Sequence, residues 1–99
     1  MWDYTLKNGK MLRKAISDGD AAEVLHTLRT CYEEINEVMP DIFDEDDLDS
    51  CIDDIENELD NYENYENYDM TMSDVEDNVD YLLGKFYDIC DDLNIWVGL

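Results

Sequence analysis

The sequence predicts an all-α fold: a compact bundle of three long amphipathic helices plus a short N-terminal helix. Three observations carry this. Apolar residues recur in steps of three and four over three separate stretches. Helix-capping residues stand where these stretches begin, and turn residues stand between them. No run alternates apolar and polar residues with period two, so β content should be near zero.

The short helix comes first. Leu6, Met11, Leu12, Ala15 and Ile16 mark its apolar side, and it should end near Ser17. Ser17-Asp18-Gly19-Asp20 makes the turn, with Gly19 free to adopt a positive φ. Lys7, Lys10 and Lys14 lie on one row, read as intramolecular partners for neighbouring acids.

Asp20 followed by Glu23 resembles a capping box. Behind it Val24, Leu28, Cys31, Ile35 and Val38 step by 4, 3, 4 and 3 along one helix face. Pro40 stops this helix, because the residue before a proline is pushed out of the α region.

Leu48, Ile52, Ile55, Leu59 and Tyr62 repeat the same spacing, which predicts a helix over about 45–65. Acids before and inside its first turn favour the helix N-terminus through the dipole. The repeat from Asn61 to Tyr68 then places Tyr at every third position. That period drifts around an α-helix, so the three rings cannot share one core face, and the helix should fray here. Ser73-x-x-Glu76 reads as a second capping box opening the last helix, with Val75, Val79, Leu82, Phe86, Cys90 and Leu93 on its stripe. The apolar tail Ile95–Leu99 should pack back on the bundle.

Ninety-nine residues suit a single domain, 1–99. The formal charge is −22, from 28 acids and six bases. High charge borders on the composition of disordered chains, but 24 Leu, Ile, Val and Phe residues lift it above that class. The charge is uneven. Residues 1–29 carry five bases against four acids, whereas residues 30–99 carry 24 acids and only Lys85.

Such a surface repels duplex phosphates and anionic membranes, so neither is an expected partner. Cys31, Cys51 and Cys90 each fall on an apolar stripe without a C-x-x-C, and read as buried reduced thiols. No apolar leader or membrane-length stretch is visible, which points to the cytoplasm. His26 has no second His or spaced Cys for zinc. A calcium loop counted from Asp44 fails at Leu48 and Asp49, where an oxygen ligand and Gly are required. No cofactor, dedicated metal site or enzyme activity is expected.

The acids of the third helix are ordered. Asp49, Asp53, Glu56, Asp60 and Glu63 each follow a core residue by one position, about 100° around the axis. Asp47, Asp54 and Glu58 precede one. Like charges at i, i+4 cost a few tenths of a kcal/mol per pair, so fold stability alone would not select this pattern. A duplex carrying ~22 charges is roughly 37 Å long, and a 20-residue helix spans ~30 Å. A bundle of this size can therefore occupy a basic nucleic-acid groove.

In size, charge, helical acidic rows and aromatics interleaved with acids, as in Tyr62-Glu63-Asn64-Tyr65-Glu66, the chain resembles the small acidic DNA-mimic proteins of bacteriophages and mobile elements. These include anti-restriction and anti-CRISPR inhibitors. The likeness covers most of residues 33–92 in character and is not a sequence motif. It implies a bacterial host and an inhibitor of a basic nucleic-acid-binding protein, such as a Cas or restriction nuclease. The near-neutral N-terminal third makes any mimicry one-sided.

The residues assigned to partner binding are Glu33, Glu34 and Glu37 on the second helix and Asp44, Glu45, Asp46 and Asp47 at the start of the third. Along the third helix they continue with Asp49, Asp53, Asp54, Glu56, Asp60 and Glu63, joined by Tyr62 and Tyr65. The alternative is an antitoxin-like or regulatory module acting through the apolar tail and the Tyr cluster. An apolar seam left uncovered by the short first helix would offer a homodimer surface.

Overall fold

Each apolar stripe becomes the buried face of a helix. The computed structural model describes residues 4–41 and 43–97. In chain order these form β1 (Tyr4–Thr5), α1 (Gly9–Asp18), α2 (Ala21–Val38), α3 (Glu45–Asn64), α4 (Met72–Leu93) and β2 (Ile95–Trp96). A 3-10 turn, Tyr65–Tyr68, continues α3 where the Tyr repeat leaves the apolar register. The all-α bundle is the observed architecture.

Local chemistry sets the boundaries. Gly19 sits at φ 71° and its N–H returns to the Ile16 carbonyl, so α1 ends in a left-handed cap. The Asp20 carboxylate then accepts the Glu23 N–H at 3.2 Å and starts α2. Met39 closes α2 with its N–H on the Ile35 carbonyl, one residue before Pro40. α4 begins two residues earlier than the Ser73 box implies, with Thr71 as its N-cap. Thr71 and Asp74 exchange the reciprocal bonds of a capping box instead, at 2.9 and 3.2 Å. Met70 and Met72 pack against the core, and this favours the earlier start.

α2 is the central element. It packs against α1 on one side, α3 on the other, and α4 as well. Leu25, Leu28, Cys31, Tyr32 and Ile35 line its buried face and share one core cluster with Leu12 of α1, Ile55 of α3 and Phe86 of α4. Tyr32 meets Phe86 edge-to-face at 5.0 Å between ring centroids, an arrangement favoured by the ring quadrupoles. The three cysteines are free and buried, as their stripe positions require. Burial pushes the Cys31 and Cys90 thiols up to about 12, which keeps them protonated.

β structure is near zero, as expected, and is confined to one short pairing among the described residues. β1 and β2 form a two-stranded parallel ladder, with Tyr4 opposite Ile95 and Thr5 opposite Trp96. The Leu6 N–H donates to the Trp96 carbonyl at 2.9 Å. A two-residue ladder has no periodicity to read, and here it fastens the two ends of the chain together. Ile95 is buried, while Trp96 points outward and is 65 % exposed. Gly98 and Leu99 of the tail lie outside the described residues. Among the described residues no helix is long and apolar enough to cross a membrane.

Candidate functional site

Each helix buries its stripe, so the residues beside the stripe are turned outward. On α3 this places Asp46, Asp47, Asp49, Asp53, Asp54, Glu56, Asp60 and Glu63 on the exposed surface. Asp44 is exposed at the N-cap, and its carbonyl accepts the Leu48 N–H at 3.1 Å. The Glu45 side chain lies outside the described residues.

Two of these acids have a cation. Arg29 of α2 bridges Glu33 at 3.1 Å and Glu56 at 2.9 Å, tying α2 to α3. Lys85 of α4 stands 3.8 Å from Asp54. All are surface pairs, and such pairs are worth about 0–1 kcal/mol. Among the described residues Asp46, Asp47, Asp49, Asp53, Asp60 and Glu63 have no cation within 4.0 Å. Asp60 is instead held by neutral donors, the Asn64 amide at 3.0 Å and the Tyr68 hydroxyl at 2.8 Å. That bond is the main cause that raises the Tyr68 phenol above its ordinary value.

Glu34 is placed quite differently from Glu33. It is 8 % exposed and accepts four hydrogen bonds from the N-terminal segment. The Tyr4 hydroxyl donates at 2.6 Å, the Lys7 N–H at 2.7 Å, and the Asn8 N–H and side-chain amide at 3.0 and 2.8 Å. Burial pushes the carboxyl up, but these bonds together outweigh it and hold it below the usual glutamate value. The same bond, foremost, moves the Tyr4 phenol up to about 12. Glu34 thus caps the start of α1 from across the bundle. Its oxygens are committed inside the protein, so it is not part of the outward acidic surface. Glu33 and Glu37 remain exposed beside it, on a cleft of about 430 Å³ that also includes Lys7 and Thr30.

Tyr62 and Tyr65 are half-buried, their rings packed on the core edge. The exposed aromatics near the acids are others: Tyr68 at 50 % and Tyr81 of α4 at 72 %. Tyr81 borders a small cleft between α3 and α4 together with Asp54, Asn57 and Asn78. α4 adds its own exposed acids, Asp74, Glu76, Asp77, Asp80, Asp88, Asp91 and Asp92. Their sequence signal matches that of α3, since Glu76, Asp80 and Asp91 each follow a core residue by one position.

Lys7, Lys10 and Lys14 are exposed and make no ion pair among the described residues, contrary to the intramolecular role expected of them. The reason is positional. α2 separates α1 from the acids of α3, and its own nearby Glu34 is saturated by backbone and neutral donors.

The result is an acidic helical bundle with dimensions of 44 × 30 × 17 Å. Its long dimension is comparable to the ~37 Å of duplex that carries the same charge. Among the described residues no group of three or more His, Cys, Asp or Glu side chains converges on one point as a metal site does. The charge is spread along helices instead of focused. The chain matches no protein-family model, no curated protein sequence and no solved structure.

Proposed function

We propose that this protein is a nucleic-acid mimic: an inhibitor that fills the basic groove of a nucleic-acid-binding protein, such as a bacterial defence nuclease of the anti-CRISPR or anti-restriction target type. The observation that carries the reading is the exposed row of uncompensated carboxylates fixed along α3. A rigid row meets a basic groove without the ordering entropy a disordered acidic tail would lose. The contact set is Asp46, Asp47, Asp49, Asp53, Asp60 and Glu63, flanked by Glu33, Glu37, Asp54 and Glu56 and extended by the acids of α4. Tyr68 and Tyr81 supply exposed rings beside it. Glu34 serves the fold. The function is binding without catalysis, and neither a membrane nor nucleic acid itself is the partner.

The test is affinity capture from a bacterial lysate at low salt, followed by competition with duplex DNA or guide RNA. Nucleic acid should release the captured protein, and affinity should fall steeply with salt. Reversing Asp49, Asp53 and Asp60 to Lys should weaken binding on the order of 100-fold. Binding that persists unchanged beside saturating nucleic acid rejects the competitive mechanism.

The second reading, a regulatory module working through its tail, has its own observation. Trp96 is 65 % exposed and, with Tyr87, Val97 and Arg13, lines a cleft of about 320 Å³. Trp96→Ser would abolish partner binding under this reading and leave it intact under the first.

A further inference from the structure

A second surface, different in character from the acidic row, lies between the α1–α2 turn and α4. Ile16, Val24, Val79 and Leu83 give an apolar lining to a cleft of about 230 Å³, and Glu76 and Asp80 stand among the residues that border it. Ile16 is a large aliphatic residue left 38 % exposed here. Nothing lies within 4 Å of where a Gly19 side chain would begin, so the turn leaves the cleft open. Glu76 and Asp80 are a like-charged i, i+4 pair, destabilising by a few tenths of a kcal/mol. Neither has a cation within 4.0 Å among the described residues.

Size and charge select the occupant. The cleft is smaller than the roughly 300–1,000 Å³ typical of small-molecule sites and suits one or two side chains. Its lining takes an apolar group, and its carboxylates take cations beside that group. We infer that this cleft seats an apolar anchor residue, flanked by Lys or Arg, on the basic partner. The inference rests on the groove-filling reading and adds to it a specific contact of the pocketed-anchor kind that dominates many interfaces. A second copy of the chain could offer Met11, 57 % exposed between Lys10 and Lys14. The net charge of −22 on each copy opposes that pairing.

Two lysine-rich peptides of equal length and charge test the inference, one with a central Leu and one with Ser at that position. By titration calorimetry the Leu peptide should bind about tenfold tighter. Ala21→Leu, which fills the cleft, and Ile16→Ser, which removes an apolar wall, should each erase the preference and leave Ser-peptide affinity unchanged. Glu76→Gln with Asp80→Asn should weaken both peptides alike. In the unsubstituted protein the Leu peptide should shift the Gly19, Ala21 and Asp80 amide resonances, a readout independent of how the variants fold. Equal affinities, shifts confined to other residues, or a self-associated protein in sedimentation would overturn the inference. Peptide preference reads the cleft alone, whereas nucleic-acid competition reads the groove-filling proposal, so either can fail without the other.

Discussion

Glu34 on α2 and the exposed acids of α3 belong to two regions with opposite electrostatic logic. Around Glu34 a buried carboxylate meets four donors within 3.0 Å. Along α3 six exposed carboxylates have no cation within 4.0 Å among the described residues. In the first region negative charge holds the fold together, and in the second it strains the fold and is tolerated. The contrast teaches that a carboxylate's contribution depends on the donors around it, since the side chains are chemically alike.

The sharpest way to break the comparison is Glu34→Ala. It strands the Tyr4 hydroxyl and the Lys7 and Asn8 N–H groups, and should cost roughly 2–4 kcal/mol. The melting temperature should fall by roughly 10–20 °C, measured by circular dichroism. Removing charge from the other region should do the reverse. Asp49→Asn, Asp53→Asn and Glu63→Gln together should raise stability by about 0.5–1 kcal/mol through relief of like-charge pairs. A triple variant that melts lower than the parent would show that the row stabilises the fold after all.

Acid separates the regions again. The folded Glu34 carboxyl lies below its ordinary value, so its contribution is fully present above about pH 4.3, the unfolded value. It is lost as pH falls through the lower folded value. Stability should therefore fall as pH drops below about 4.3, with Glu34→Gln flattening that fall. Added salt should raise the melting temperature of the parent by screening α3 and α4, and should do so less in the triple variant. The smallest effect is Tyr68→Phe, which removes one exposed bond to Asp60. It should change stability by no more than about 0.5 kcal/mol, read from denaturant midpoints.

Much of this molecule is legible in the chain. The 4-3-4-3 spacing of Val24 to Val38 and of Leu48 to Tyr62 marks α2 and α3, whose observed bounds are Ala21–Val38 and Glu45–Asn64. Gly19 acts through its freedom to adopt a positive φ and Pro40 through the limit it sets on the residue before it, and neither needs a tertiary partner. Ser73-x-x-Glu76 misplaces the start of α4: the box that forms is Thr71 with Asp74, and Met72 inside it packs against the core. The burial of Glu34 was not legible. Its position beside the stripe resembles that of Glu33, and only the approach of residues 4–8 from another part of the chain distinguishes them.

By itself, then, the sequence determined the helices, their buried faces and the outward direction of most acids on α3, because all three follow from the 100° step of the helix. Tertiary structure decided which carboxylates are satisfied, which cations reach them, and how the chain ends meet at Tyr4 and Ile95. Those outcomes depend on contacts between residues distant in sequence, such as Glu34 with Tyr4 and Arg29 with Glu56, and no local periodicity encodes them.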